Sequence, residues 1–217
     1  MDVKGLQAFW DERYAGTEFA FGEAPNDCLV EQLAAHPPLA RAGGSSLPMT
    51  ALALADGEGR NGVWLAEQGY AVTSIDVSPK GLDKATRLAQ DRNVSIQTVL
   101  ADLTAYDFGQ QAWSVVASIF LHLPPEKRRE VNRRAVEALQ PGGVFVFEGY
   151  GTDQLKYGTG GPKDLALLYE LSALRADFDG LPVQLVHEFS GERLVQEGVR
   201  HTGLASVVQV TVRRYAD

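Results

Sequence analysis

Three glycines in one short stretch could bind a cofactor. Gly57, Gly59 and Gly62 follow the spacing G-x-G-x-x-G, after a strand-like run and before a helix-like one. Glycine lets the backbone turn sharply and approach a ligand without a Cβ in the way. The free N–H groups at the start of the next helix favour a negatively charged or polar ligand group. This stretch therefore predicts a binding loop for a nucleotide-like cofactor.

Two carboxylates follow this loop at the ends of strand-like runs. Asp76 comes 19 positions after Gly57, where its oxygens could accept hydrogen bonds from both hydroxyls of a ribose. Asp102 follows the third run and could accept a hydrogen bond from an adenine amino group, with the N–H of Leu103 facing a ring nitrogen. The loop and the first acid predict an adenosine-type cofactor. They do not distinguish a nicotinamide dinucleotide from S-adenosylmethionine.

Three features favour S-adenosylmethionine. A second acid at the pocket, Asp102, fits S-adenosylmethionine, because it can accept a hydrogen bond from the adenine amino group. After the fifth strand-like run only about 70 residues remain, too few for the separate substrate domain of a dehydrogenase, and no tyrosine is followed four positions later by lysine, as short-chain reductases require. The stretch Trp113–Pro125 ends a strand in apolar and small residues, which suits a floor beneath a sulfonium. A non-catalytic S-adenosylmethionine-binding module and an NAD(P)-binding oxidoreductase remain alternatives.

The elements that must carry these residues alternate along the chain. Strand-like runs alternate with helix-like segments, which predicts an α/β domain with a mostly parallel sheet. We predict strands over Met49–Leu54, Ala71–Asp76, Val94–Leu100, Trp113–Ile119 and Val144–Glu148. We predict helices over 63–68, over 78–90, from Pro124 to a stop at 141–143, and over Lys163–Phe178.

The two ends of the chain depart from this alternation. The first 48 residues precede any predicted strand, yet they contain five aromatic side chains between Phe9 and Phe21. This is more than a disordered tail would carry, so we expect them to fold back as a lid. At the other end, the runs PVQLVHEF and ASVVQVTVRRY could pair antiparallel, because the segment between them is too short for a crossover helix.

The ordered motifs resemble class I S-adenosylmethionine-dependent methyltransferases, and within that class the tellurite-resistance and thiopurine methyltransferase-like branch. FWDERY, LALADGEGRNG, SIDVSP, ADL, SIFLHLPP and PGGVFVFEGY carry the resemblance over nearly the whole chain. It implies a Rossmann-like, doubly wound sheet of seven mostly parallel strands, with the last strand antiparallel and a helical lid. We expect one methyltransferase domain over 1–217, with a lid segment (1–48), a cofactor-binding core (49–148), and a substrate loop with C-terminal strands (149–217).

The resemblance also implies which residues hold S-adenosylmethionine. Gly57 and Gly59 would line the methionine part, Asp76 would hold the ribose, and the adenine would meet Asp102 and Leu103. The implied backbone and flanking contacts are those of Ala55, Asn61, Val77 and Ile119.

The chain departs from the family pattern just before its glycines. The usual acid of D-x-G-x-G-x-G is missing, because the corresponding positions hold Ala53 and Ala55. We therefore expect three lid residues to help bind the cofactor. Arg13 would pair with the methionine carboxylate, while the rings of Trp10 and Tyr14 would face the sulfonium.

Methyl transfer is an in-line displacement that mainly requires alignment and exclusion of water, so no acid or base is obligatory. We expect a small-molecule acceptor, either a thiol, a metalloid oxyanion or an amine, and the catalytic residues remain unknown. The glycine-rich stretch after the fifth strand falls where such sheets bind ligands, which makes Tyr150 and Tyr157 candidate acceptor contacts. His201, in a polar turn before the last strand, is a candidate base. His122 is expected to pack beneath the cofactor pocket or to cap the loop that follows.

Composition limits the possible partners. The net charge of −8 and the pI near 5.0 disfavour nucleic acid and anionic membranes. The single cysteine, Cys28, cannot close an intrachain disulfide, and no Cys/His cluster suggests a metal site. No apolar run is long enough to span a bilayer. We therefore expect a metal-free cytoplasmic enzyme, monomeric or homodimeric, with no nucleic-acid or membrane partner.

Overall fold

A computed structural model describes residues 2–39, 48–198 and 201–216. Within these residues seven strands form one sheet: β1 (Thr50–Leu54), β2 (Ala71–Asp76), β3 (Gln97–Leu100), β4 (Trp113–Ile119), β5 (Leu139–Tyr150), β6 (Val183–Glu197) and β7 (His201–Arg214). The α-helices are α1 (Val3–Arg13), α2 (Asp27–Ala35), α3 (Arg60–Glu67), α4 (Pro79–Asp91), α5 (Pro125–Glu137) and α6 (Leu171–Ala176).

The strand order is β3-β2-β1-β4-β5-β7-β6. Strands β1 to β5 run parallel, and β7 runs antiparallel to its neighbours β5 and β6. The chain moves outward from β1 to β3 and then crosses back to β4, so the order reverses between β1 and β4. The predicted seven-stranded, Rossmann-like sheet with an antiparallel last strand is confirmed. Ligands bind such sheets at this reversal, beyond the carboxyl ends of the strands.

Helices cover both faces of the sheet, as a doubly wound fold requires. On one face Leu29 of α2 and Leu65 of α3 are fully buried against β1, β4 and β5. On the other, Val131 of α5 and Leu174 of α6 belong to the larger core cluster. Although α2 lies within the predicted lid segment, it belongs to a helix layer. We therefore use "the lid" for residues 2–26, which contain α1 and the chain that follows it.

Local sequence signals account for the start of α4. Ser78 accepts a hydrogen bond from the N–H of Gly81, and Pro79 occupies the first helical position. Ser78 thereby pairs one of the N–H groups that a helix start leaves without a partner, and Pro79 has no N–H group to pair. The predicted helix therefore begins as expected and holds its first turn beside the end of β2.

Two predicted elements of the C-terminal third are wrong in extent. The predicted helix Lys163–Phe178 is a 3₁₀ turn at Leu165–Leu167 followed by α6. Between them the N–H of Tyr169 donates to the carbonyl of Tyr150 at 2.9 Å, which draws that stretch against the sheet instead of into a helix. The terminal hairpin is also longer than predicted, so His201 starts β7 and does not lie in a turn before it.

Candidate functional site

The glycine loop lies at the carboxyl edge, the edge of the sheet where β1, β2, β4 and β5 end. Its backbone is left-handed at Ala55, Gly57 and Gly59, with φ angles of 49°, 57° and 89°. This conformation is costly for residues with a Cβ, and Ala55 adopts it directly after β1. The neighbouring Asp56 points inward, where its carboxylate accepts hydrogen bonds from the hydroxyl of Ser74 and the N–H of Gly62.

Asp76 fastens this loop to the end of β2. One of its carboxylate oxygens accepts the N–H of Gly57 and the other the N–H of Ser78, each at 2.8 Å. The residue is 5% exposed, and burial raises its pKa to about 6 although backbone N–H groups oppose the rise. A carboxylate can accept about four hydrogen bonds, so these two do not use its full acceptor capacity. Asp76 can therefore order the loop and still accept hydrogen bonds from a ligand diol.

Asp102 lies beyond the neighbouring strand. Strands β2 and β3 are paired there, and the N–H of Ala101 donates to the carbonyl of Asp76 at 3.0 Å. The Asp102 carboxylate accepts both the N–H and the hydroxyl of Thr104, each at 2.9 Å, so it caps its own turn. Leu103 is buried at 6% exposure.

The other predicted contacts of the core flank the same edge. Val77 is half-buried directly after β2, and Ile119 ends β4 at 7% exposure. Asn61 is buried in the first turn of α3, where its side-chain oxygen accepts the N–H of Asn26 at 2.9 Å. The sheet thus brings the predicted core residues to one edge, while Asn61 faces the end of the lid.

The lid reaches this edge through Tyr14. A Cβ on Gly57 would lie 2.5 Å from the Tyr14 hydroxyl oxygen, so the tyrosine fills the space that this glycine leaves. The ring of Trp10 stacks on Tyr14 with centroids 5.6 Å apart. The guanidinium of Arg13 lies 3.4 Å over the ring of Phe9. Three lid residues were predicted to help bind the cofactor. Of these, Tyr14 contacts the glycine loop, Trp10 stacks on Tyr14, and the guanidinium of Arg13 packs on Phe9.

A buried network of charges, which the sequence did not reveal, joins the lid to the hairpin. Glu148, at the carboxyl end of β5, accepts Arg193 Nε at 2.6 Å and the Asn26 side-chain N–H at 2.6 Å. Glu197 accepts a second N–H of Asn26 and one of Arg60, both at 2.6 Å. Burial alone would raise the pKa of Glu197, but the nearby His201 ring and Arg60 lower it to about 2.

Two glycines bring the lid and the hairpin into direct contact. Gly22 and Gly198 both have left-handed backbones. A Cβ on Gly198 would lie 2.4 Å from the backbone nitrogen of Gly22. No other residue type fits at 198 without displacing the lid. The lid is therefore held closed by backbone packing as well as by Asn26.

An aromatic cluster lies beside this network. Its members are Phe21, Phe120, His122, Tyr150, Tyr169 and His201. Of the predicted acceptor contacts, Tyr150 and His201 come together here with ring centroids 5.3 Å apart. Tyr157 does not join them. Its hydroxyl instead donates a hydrogen bond to Glu192 on β6.

Two further properties hold for the part of the chain that the structure describes. None of its helices is both long enough and apolar enough to cross a membrane. It also groups no three His, Cys, Asp or Glu side chains in a way that could hold a metal ion.

Sequence comparison connects the core of this site with one family. Residues 51–143, from β1 to the start of β5, match a family described as a methyltransferase domain. Carboxy-S-adenosyl-L-methionine synthase from Chromohalobacter salexigens is 33% identical over 106 residues. That match covers 48% of this chain, and the chain spans only 37% of the length of this curated relative.

Solved structures of low sequence identity share the fold over nearly the full chain. A protein studied for the conversion of a disulfide bond into a thioacetal group during echinomycin biosynthesis has a TM-score of 0.75 at 17% identity, covering 99% of this chain and 92% of that one. Magnesium protoporphyrin IX methyltransferase (ChlM) from Synechocystis PCC 6803, solved with S-adenosylhomocysteine, has a TM-score of 0.68 at 15% identity, covering 98% and 100%.

Proposed function

We propose that this chain, whose residues 51–143 match a methyltransferase domain, uses S-adenosylmethionine to methylate a small-molecule acceptor. The observation that carries the proposal is the glycine loop at the reversal between β1 and β4, fastened by the buried Asp76 at the end of β2. An anchored acid beside a left-handed glycine turn suits a ribose with a polar tail.

The matches to a methyltransferase domain and to an S-adenosyl-L-methionine enzyme support the predictions of an enzyme of the methyltransferase class and of S-adenosylmethionine as its cofactor. The tellurite-resistance and thiopurine branch and the small-molecule acceptor remain part of our proposal. The branch rests on the resemblance carried by the ordered motifs from FWDERY to PGGVFVFEGY. The proposed cofactor contacts are the residues predicted above, and the proposed acceptor contacts are Tyr150 and His201.

The residues at the carboxyl edge fit the adenosine part of the cofactor as they stand, and they fit its amino-acid part only after a movement of the lid. Asp76 retains lone pairs for the ribose, and Leu103 lies beyond the adjacent strand for the adenine. The space beside Gly57 is filled by the Tyr14 hydroxyl, so the amino-acid part fits once Tyr14 has moved away. When bound, S-adenosylmethionine supplies a methyl group on a positively charged sulfur. The chain's part is to orient the cofactor and, by closing the lid, to exclude water.

Calorimetry with S-adenosylhomocysteine, S-adenosylmethionine and NAD(P) tests the proposed function. We expect the two adenosyl sulfur compounds to bind and the dinucleotides not to bind. Transfer of a radiolabelled methyl group to a panel of small acceptors then separates an enzyme from a non-catalytic binding module. Tight binding of a dinucleotide alone would overturn the proposal in favour of an oxidoreductase.

Trp10 should report the movement of Tyr14. Because the two rings are stacked, a ligand that displaces Tyr14 from Gly57 should change the fluorescence of Trp10. We expect a saturable change on titration with S-adenosylhomocysteine. The Trp10→Phe variant should lose that change while Trp64 and Trp113 still fluoresce. A wild-type protein that binds the ligand without any spectral change would show that Tyr14 stays on the loop.

Cofactor affinity should fall in mild acid. The raised pKa of Asp76, about 6, means that its carboxylate takes up a proton below neutral pH and loses acceptor capacity. If S-adenosylhomocysteine binds the ionised form, its affinity should drop about tenfold between pH 7 and pH 5. Calorimetry across this range measures the slope. The Asp76→Asn variant should show weak binding without the slope; an unchanged slope would assign it to the neighbouring Asp56, whose pKa is also raised by burial.

A further inference from the structure

His122 has a fixed tautomer and an unused nitrogen. Its Nδ1 lies 2.7 Å from the carbonyl oxygen of Leu167. Because a carbonyl can only accept, the ring proton is on Nδ1 and Nε2 carries the lone pair. Nε2 is buried and has no hydrogen-bond partner among the described residues. A buried acceptor without a donor costs free energy, and such an atom in a native structure calls for an explanation, of which a catalytic role is one.

The backbone positions His122 at the carboxyl edge. Phe120 follows the end of β4 with a left-handed φ of 52°, and its N–H donates to the carbonyl of Glu148 at 2.7 Å. This kink turns the chain over the ends of β4 and β5. The His122 ring then lies nearly parallel to those of Tyr150 and Tyr169, at 14° to each. His122 is therefore part of the aromatic cluster, beside the reversal point of the sheet.

The charges around the cluster are already paired. Arg193 is bound by Glu148, and Arg60 is bound by Glu197. Burial raises the pKa of Tyr150 and of Tyr169, so both phenols stay neutral. An anionic acceptor would have to break one of these buried ion pairs to find a positive charge. An uncharged flat molecule would find aromatic faces instead.

We propose that Nε2 of His122 accepts the hydrogen bond, and then the proton, of a hydroxyl group on an uncharged aromatic acceptor. The inference rests on the proposed function. It replaces the thiol, metalloid oxyanion or amine expected from the sequence with a hydroxyl acceptor, and it assigns His122 as the catalytic base. The Phe21 ring covers His201 at a centroid distance of 4.5 Å. Opening of the lid would uncover the cluster to the acceptor.

The step balances without another reactant. A lone pair of the acceptor's hydroxyl oxygen forms the new bond to the methyl carbon, and the old bonding pair stays with the cofactor sulfur. The hydroxyl proton passes to Nε2 of His122, which becomes a cation and later releases the proton to water. The products are a methyl ether and S-adenosylhomocysteine.

The basicity of His122 agrees with a hydroxyl acceptor. Burial and the nearby His201 lower the pKa of His122 to about 4, although the hydrogen bond to Leu167 opposes this. The ring is therefore neutral and ready to accept a proton at physiological pH. A hydroxyl oxygen becomes strongly acidic as it gains the methyl group, so it can release its proton even to a weak base. A thiolate or an oxyanion would not need this base.

The inference can be tested by nitrogen NMR on protein whose histidines are labelled with ¹⁵N. S-adenosylhomocysteine is bound in place of the methyl donor, so that no reaction occurs. Phenol and anisole serve as probes that differ in the hydroxyl proton. We expect phenol to shift the Nε2 resonance of His122 and anisole to leave it nearly unchanged. We also expect phenol to bind about tenfold more tightly than anisole. In His122→Asn, whose amide can still donate to Leu167, this preference should disappear; His36→Asn should retain it.

The outcomes separate the inference from the proposed function. If the wild type does not bind S-adenosylhomocysteine, the proposed function fails. If it does bind and phenol and anisole affect Nε2 equally, or neither affects it, His122 is not the proton acceptor. The wild-type spectra decide the question even if His122→Asn does not fold.

Discussion

Replacing Asp76 with alanine is expected to weaken S-adenosylhomocysteine binding at least about 100-fold. A hydrogen bond to a charged group contributes roughly 1.5–3 kcal/mol, and the ribose diol would lose two of them, while each 1.4 kcal/mol is a factor of ten in affinity. The substitution also frees the N–H groups of Gly57 and Ser78, which the carboxylate now accepts. The loop should therefore lose order as well as its ligand contact. Calorimetry measures the loss.

Asp83 provides the matched control for this experiment. It is an exposed acid on α4, the helix that follows β2. Asp83→Ala should bind S-adenosylhomocysteine like the wild type. Urea unfolding of Asp76→Ala establishes that the folded state is populated at the temperature used. A folded Asp76→Ala protein with wild-type affinity would remove this carboxylate from the ribose site.

Replacing Glu197 with alanine is expected to lower the free energy of unfolding by about 3–5 kcal/mol. Glu197 is 4% exposed, and its ion pair with Arg60 measures 2.6 Å. Without it, Arg60 keeps its charge in a buried place and Asn26 loses one of its two carboxylate partners. The lid would then be held less firmly against the hairpin. Urea denaturation monitored by circular dichroism measures the change.

The control for Glu197 lies on the same strand. Glu192 is exposed and accepts a hydrogen bond from the half-buried Tyr157, so Glu192→Ala should cost less than about 1 kcal/mol. The double variant Arg60→Met with Glu197→Met removes both charges together. It should be more stable than Glu197→Ala, because no unpaired charge remains. Equal losses for Glu192→Ala and Glu197→Ala would contradict the importance of the buried pair.

The core of the fold could be predicted because residues adjacent in the sequence signal each of its strands and helix starts. Strands β2 and β4 have the predicted bounds, and the Ser78-Pro79 cap starts α4 where expected. The glycine loop and Asp76 were found from their spacing alone. Their contact follows from the parallel pairing of β1 with β2, which brings both strand ends to one edge.

The parts that could not be predicted depend on contacts between distant residues. Asn26 meets Glu148 and Glu197 across 122 and 171 positions of the chain, and no local pattern encodes such a meeting. Glu148 ends the predicted strand Val144–Glu148, and this was a usable signal, since a charge at the end of a buried strand needs a partner. The identity of that partner, Arg193, depended on the length of the hairpin.

The lid connects the two halves of the site. Tyr14 occupies the space beside Gly57, and Phe21 lies on His201 in the aromatic cluster. Both rings also pack against Trp10, with centroids 5.6 and 6.3 Å from it. We therefore expect one movement of the lid to open the cofactor loop and the acceptor cluster together.

A crystal structure with S-adenosylhomocysteine tests the central claim most directly. We predict that both ribose hydroxyls lie within hydrogen-bonding distance of the Asp76 carboxylate, with the Tyr14 hydroxyl displaced from Gly57. A ligand bound elsewhere, or a ribose held by other groups while Asp76 touches only backbone N–H groups, would contradict the account.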